Sequence, residues 1–303
     1  MSAKAGGVII VSVLLMAGAM QASAQTAAPA QEDVTVTATK SREALHNFVK
    51  KFAAPTKLSG KIARWQRHLC PLVVGQTPDF TEFIRQRIKY VALAVGAPIN
   101  AEPSCKPNIQ VVFTTTPQAL LDNVRQHHVG VLGYAETATQ LEKLATVIRP
   151  VQAWYATETR DCDGRRQVDT GLHISSFTGK LMADVPTYAP CGLSRLNDGL
   201  ETGFAHILIV VDSTKLEGRK IVPLADYISM LALTQLNSLD TCQQQPSIAN
   251  MLAAGCDHPT DGVTEFDLAY LRGLYNMSAG RMALIQRDEI GDTMLDTLTK
   301  EEK

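Results

Sequence analysis

The sequence lacks the short motifs that mark the best-known catalytic sites. It contains no H-E-x-x-H, C-x-x-C, G-x-S-x-G or P-loop pattern. It also lacks an excess of one charge, because 29 Lys and Arg residues nearly balance 30 Asp and Glu residues. Nucleic-acid binding needs a concentrated basic surface. We therefore expect no nucleic-acid partner, no metal and no cofactor.

Long hydrophobic runs are absent beyond the N-terminal segment, and a membrane-spanning helix needs roughly 20 apolar residues. The short apolar stretch Val8 to Met20 follows Lys4 and precedes Ala22-Ser23-Ala24, which has the A-x-A pattern of a secretory cleavage site. We predict a signal peptide over residues 1–24 and a secreted, periplasmic protein that is not an integral membrane protein. The alternative is an uncleaved N-terminal anchor.

Cysteine occurs six times, which is an even number. In an oxidising compartment an even set favours disulfides. Each neighbouring pair flanks one compact stretch, so we predict sequential pairing, as Cys70–Cys105, Cys162–Cys191 and Cys242–Cys256. The alternative is a Cys/His metal site, for which Cys256 and His258 are the only close pair.

The remaining chain divides into two parts. Residues 25–41 are rich in Ala, Thr and Gln and predict a flexible linker. Residues 42–303 predict one α+β domain in which strands dominate early and helices late. The first expected elements are an amphipathic helix after Ser41, a helix from Pro78 and a strand from Val151 with a hairpin turn at Asp163-Gly164, after which Gln167 to Ile174 pairs back. They are followed by a buried strand from Phe204 to Val211, a helix from Leu224 to Leu236 and two C-terminal helices.

Two C-terminal segments carry a family resemblance. They are Pro246-Ser247-Ile248-Ala249-Asn250 and Thr264-x-Phe266-Asp267-x-x-Tyr270-Leu271-Arg272-x-Leu274-Tyr275. Together they resemble a secreted proteobacterial family of unknown function that is related to zinc-dependent metallopeptidases. The resemblance covers Arg64 to Tyr275 and implies a zincin-like fold, with a mixed β-sheet packed on helices.

In the related peptidases, two His and a Glu on one helix bind zinc and activate water. The resemblance places Leu231, Ala232 and Gln235 at those three positions. None of these side chains is a good zinc ligand or a general base. The sequence therefore predicts a non-catalytic protein, a pseudo-metallopeptidase, that acts by binding a peptide or an envelope partner.

Two questions about this region stay open from the sequence alone. Gln235 either hydrogen-bonds the nearby backbone or lines a surviving cleft that holds an extended peptide, with Ala232 on the cleft floor. The second question is whether the chain is a hydrolase with a non-standard active site, built from His206, His173 and Asp184. Other residues that could supply a metal ligand near the helix are Asp240, His258 and Asp267.

The segment Glu32 to Ala38 has the sequence EDVTVTA. It is similar to the short box by which outer-membrane receptors contact the energy-coupling protein TonB, and its alternating Val34 and Val36 could add a strand to a partner sheet. The alternative is that the segment is part of the linker.

Overall fold

The computed structural model describes residues 41–102, 104–175, 178–183, 188, 197–237, 239–257 and 260–300. Several predictions therefore lie outside the described residues: the signal peptide, the linker up to residue 40, the Glu32–Ala38 segment, Asp184, Cys191 and His258.

The described sheet has five strands in the order β1-β2-β7-β3-β4. Strands β1, β2 and β7 are parallel, whereas β3 runs antiparallel to both β7 and β4. A separate two-stranded sheet pairs β5 with β6. The strand bounds are β1 (Pro71–Val74), β2 (Ile109–Thr114), β3 (Val151–Arg160), β4 (Arg166–Val168), β5 (Leu172–Ile174), β6 (Leu181–Ala183) and β7 (Glu201–Asp212). The predicted α+β class with a mixed sheet is confirmed.

Helices cover both faces of the five-stranded sheet. Short 3₁₀ helices at Val129–Leu132 and Ile248–Leu252 accompany α1 (Arg42–Phe52), α2 (Pro78–Ala94), α3 (Pro117–His127), α4 (Ala138–Leu144), α5 (Ile221–Leu233), α6 (Glu265–Asn276) and α7 (Ala283–Lys300). The larger core contains α1, α2, α5, α6 and α7, and the smaller core contains α3, α4 and the first 3₁₀ helix. Strand β7 lies between them, because Ile207 and Ile209 face the larger core while Leu208 and Val210 face the smaller one.

Most local predictions match these elements. Ser41 caps α1, which buries the expected apolar face, and Asp163-Gly164 forms the turn between β3 and β4. The predicted returning strand Gln167 to Ile174 is wrong in its extent. Only its beginning pairs with β3, because Leu172–Ile174 turns away to pair with β6.

Helix α5 ends at Leu233, three residues earlier than the sequence predicts. The end is buried, since Leu233 and Thr234 are both inaccessible to solvent. Buried helix carbonyls need donors from elsewhere in the protein. Aromatic side chains supply them: Trp65 Nε1 donates to Ala232 O (2.8 Å), the Tyr275 hydroxyl to Leu233 O (2.9 Å), and the Tyr155 hydroxyl to Leu231 O and Thr234 O (3.1 Å each).

The two segments that carry the family resemblance meet at Asp267. Its buried carboxylate accepts hydrogen bonds from Ser247 Oγ (2.5 Å), from the backbone N–H of Ile248 (2.9 Å) and from both the N–H and the hydroxyl of Thr264. Thr264 also donates to Pro246 O at 2.8 Å. These residues join the second 3₁₀ helix to the start of α6, so Asp267 has a structural role.

Two of the three predicted disulfides are confirmed, Cys70–Cys105 and Cys242–Cys256. Cys162 is also disulfide-bonded, but its predicted partner Cys191 lies outside the described residues, so that pairing stays a prediction. Disulfides persist in oxidising compartments, which fits an extracytoplasmic protein. Within the described ranges, no helix has the length and apolar character required to cross a bilayer.

The buried end of α5 yields a stability prediction. Replacing Tyr275→Phe removes one hydroxyl and leaves the Leu233 carbonyl without its donor, so we expect the free energy of unfolding to fall by about 1–3 kcal/mol. Urea denaturation measures the change. Tyr90→Phe is the matched control, because Tyr90 is 62% exposed. Equal effects of the two substitutions would contradict the capping role.

The Cys242–Cys256 disulfide yields a second stability prediction. The two cysteines are 14 residues apart. In the chain-entropy model a loop of this size contributes about 3 kcal/mol, so we expect the Cys242→Ser, Cys256→Ser double variant to lose about that much. The Cys70→Ser, Cys105→Ser pair closes a longer loop, with a separation of 35, and should lose about 4 kcal/mol. Non-reducing peptide mapping of the unmodified protein also tests Cys162–Cys191.

Candidate functional site

Of the three positions that the resemblance assigns to the motif, Gln235 lies apart from Leu231 and Ala232. Leu231 and Ala232 are 1% and 0% exposed and belong to the larger core. Gln235 lies beyond the helix end and is only half-buried. The expectation that Leu231 and Gln235 share one helix face is therefore wrong, because α5 stops before a fourth residue can complete the turn. The expectation that Ala232 forms a cleft floor is also wrong, since core side chains cover it.

Gln235 lines a pocket of about 200 Å³, which we call the Gln235 pocket. Its walls come from β3, from the segment after α1, from the chain between the end of the first 3₁₀ helix and β3, and from the chain that follows α5. The lining residues are Thr56, Lys57, Leu132, Tyr134, Leu144, Arg149, Ala153, Tyr155, Thr157, Gln235, Leu236 and Leu239. The pocket thus combines apolar walls with a few polar groups, which is the usual composition of a ligand site.

The side-chain amide of Gln235 has no hydrogen-bond partner in the part of the chain that the structure describes, whereas its backbone carbonyl accepts from Ala54 N (3.4 Å). The structure therefore favours the second sequence interpretation, in which Gln235 lines a cleft. Lys57 is exposed at the same pocket and has no carboxylate within 4 Å among the described residues. The amide and the ammonium group are the two polar groups here that a ligand could engage directly.

Other polar groups in the pocket are already paired. Arg149 forms a bidentate ion pair with Asp240, with contacts of 2.6 and 2.5 Å, which lowers the pKa of the Asp240 carboxyl. The Tyr155 hydroxyl is committed to the end of α5, and burial raises its pKa. The Thr157 hydroxyl donates to Asp169 at 2.9 Å. These groups shape the pocket rather than offer free donors, and the Asp240 carboxylate is paired with Arg149.

The part of strand β3 that lines the pocket is not paired with β4. Strand β4 pairs with β3 only over Glu158–Arg160, whereas the pocket is lined by Ala153, Tyr155 and Thr157 in the earlier part of the strand. The pairing of β3 with β7 shifts register between Ala156 and Thr157. Such β-bulges are common next to functional sites, where they redirect a side chain.

The two histidines of the hydrolase hypothesis lie in different strands. His206 lies in β7 and His173 in β5, and Asp184 lies outside the described residues. Burial lowers the pKa of His206. In both histidines the buried Nδ1 atom has no partner among the described residues. Within those same residues, no three His, Cys, Asp or Glu side chains form a group that could hold a metal ion.

With this geometry established, we compared the chain with known proteins. Searches against models of protein families, curated proteins and solved structures found no match.

Sequence reasoning found Gln235 but missed its neighbours. Lys57, Tyr155 and Thr157 lie far from Gln235 in the chain, and nothing in their local sequence distinguishes them. The alternation of Val151, Ala153, Tyr155 and Thr157 indicated a half-buried strand. That pattern indicates one covered face of the strand, but it could not show which helix end that face meets.

Introducing the peptidase motif tests this description of the site. The Leu231→His, Ala232→Glu, Gln235→His variant would bury an unpaired carboxylate at a position that is 0% exposed. We expect it to lose about 3–5 kcal/mol of unfolding free energy, with no stoichiometric zinc by elemental analysis and no peptidase activity. Gln235→His alone is the control and should fold normally. Tight zinc binding by a stable triple variant would contradict this account.

Proposed function

We propose that this protein is a secreted, periplasmic, non-catalytic binding protein with a zincin-like α+β fold. Its ligand is an extended peptide segment, free or part of an envelope protein, held at the Gln235 pocket. The observation that carries the proposal is the Gln235 amide, which has no hydrogen-bond partner among the described residues and lines a pocket against strand β3. The alternative is a peptidase with a non-standard active site.

The zincin-like part of the proposal is supported by the order of elements. Strand β7 lies inside a mixed sheet and is followed by α5, which packs in the larger core beneath it. The resemblance places the peptidase motif at this helix. Leu231 and Ala232 are core residues there, so the helix packs the core and carries neither zinc ligands nor a general base at these positions.

The size and lining of the pocket support a peptide as the ligand. Pockets for drug-sized ligands usually measure about 300–1,000 Å³, whereas the Gln235 pocket measures about 200 Å³, which suits a single side chain. Leu132, Leu144 and Leu239 would contact an apolar side chain. The Gln235 amide has both a donor and an acceptor, so it matches the N–H and C=O groups of a peptide backbone.

Two independent features support the proposed periplasmic location. The N-terminal residues have the charged, apolar and A-x-A regions of a secretory signal. The disulfides fit an oxidising compartment such as the periplasm. Envelope peptides and proteins are therefore the partners that the protein would meet.

A peptide library tests the proposal. The purified chain from Gln25 onward is incubated with a random peptide library, bound peptides are recovered, and all peptides are read by mass spectrometry. We expect recovered peptides to share an apolar residue and to remain intact. Their affinity should fall about fivefold for Gln235→Ala, the loss of about 1 kcal/mol that one neutral hydrogen bond contributes.

The matched control is Gln126→Ala, because Gln126 is an exposed glutamine on α3. It should leave affinity unchanged. Cleaved library peptides, with or without added Zn²⁺, would favour the peptidase alternative. Failure to recover any shared peptide, or equal losses for Gln235→Ala and Gln126→Ala, would contradict peptide binding at the pocket.

A further inference from the structure

A second cavity, of about 440 Å³, is lined by three arginines and one carboxylate. The charged residues are Arg64, Arg160, Arg166 and Glu201, and we call this cavity the arginine cleft. It shares no lining residue with the Gln235 pocket. Its lining has an excess of two positive charges in a chain whose formal net charge is −1. The positive charge is therefore a local feature and does not follow from composition.

Sheet pairing places the arginines side by side. Arg160 in β3 lies directly opposite Arg166 in β4 and also opposite Glu201 in β7. The segment before β1 reaches the same region, because Arg64 forms a parallel bridge with Gly203 of β7. Like charges directly opposite each other on neighbouring strands repel. An anion between them would relieve that repulsion.

Two carboxylates near the cleft, Glu201 and Glu158, already form ion pairs with arginines. Glu201 pairs with Arg160 at 2.8 Å. Glu158 lies behind Arg166, at 2.6 Å, and is shared with Arg67 at 2.7 Å. One buried carboxylate therefore serves two guanidinium groups. Arg160 and Arg166 retain 40% and 33% side-chain exposure, so their remaining donors are accessible from the cleft.

Of the three arginines in the cleft, only Arg64 has no ion pair with a carboxylate among the described residues. Its Nη1 donates to Leu274 O at 3.2 Å and to Tyr275 O, both carbonyls near the end of α6. Within the described residues, Nε and Nη2 have no hydrogen-bond partner and no carboxylate lies within 4 Å. Burial lowers the pKa of the guanidinium group. The nearby Glu289 accepts instead from Ser278 N at 2.6 Å.

We propose that the arginine cleft binds a phosphate monoester. A monoester dianion matches the excess of two positive charges, and its three terminal oxygens suit three guanidinium groups, which recognise phosphate through paired N–H donors. The volume of about 440 Å³ leaves room for an organic substituent beside the phosphoryl group.

Isothermal titration tests the proposal with three probes at low salt: inorganic phosphate, glycerol 3-phosphate and succinate. Both phosphates should bind, glycerol 3-phosphate at least as tightly as inorganic phosphate, and succinate more weakly. Arg166→Gln should weaken phosphate binding about tenfold, the effect of losing one charged hydrogen-bonding group. Arg64→Lys should also weaken it, because an ammonium group cannot offer phosphate the paired N–H donors of a guanidinium group. Arg64→Lys keeps the charge and a donor for the α6 carbonyls, which protects the fold.

The matched control is Arg85→Gln, which removes the same charge from a surface pair with Glu82 on α2. It should leave phosphate binding unchanged. Circular dichroism checks that each variant is folded, and Arg160→Gln replaces any variant that is not. The proposal is overturned if neither phosphate binds at millimolar concentration, if succinate binds more tightly than both, or if Arg85→Gln weakens binding as much as Arg166→Gln.

Discussion

The buried C-terminal end of α5 is the constraint on which the rest of the structure depends. Carbonyl groups at a helix end lose their intrahelical donors, and in a dry core they need other partners. Here Trp65, Tyr155 and Tyr275 provide them. The three side chains come from the segment before β1, from β3 and from α6. One set of hydrogen bonds thus holds the N-terminal segment, the sheet and the C-terminal helices against a single helix.

That constraint also determines where Leu231, Ala232 and Gln235 lie. Because the helix ends at Leu233, the chain continues in an extended conformation through Thr234, and Gln235 lines the pocket beside β3. Leu231 and Ala232 stay behind in the core. Structural and ligand-facing groups are also close together at the arginine cleft, because Arg64 both caps α6 and lines the cleft. At both cavities, residues that stabilise the fold lie beside or include groups that could bind a ligand.

Much of the fold could be predicted because its determinants are local. Apolar periodicity identified α1 and α2, and the Asp163-Gly164 turn identified the β3–β4 hairpin. Sequential pairing of neighbouring cysteines was correct for the two described disulfides. The error at Gln167 to Ile174 has a nonlocal cause, since the second half of that stretch pairs with β6 and not with β3.

The sequence by itself determined the α+β class, the buried central strand and the absence of ligand-type residues at Leu231, Ala232 and Gln235. Only the tertiary structure decided that Gln235 faces a pocket and that three arginines converge. The physical reason is that hydrophobic periodicity and turn residues act over a few positions, whereas the partners of a helix end or a guanidinium group come from distant segments. Trp65 reaches the carbonyl of Ala232 across 167 residues of chain, and no local pattern encodes that contact.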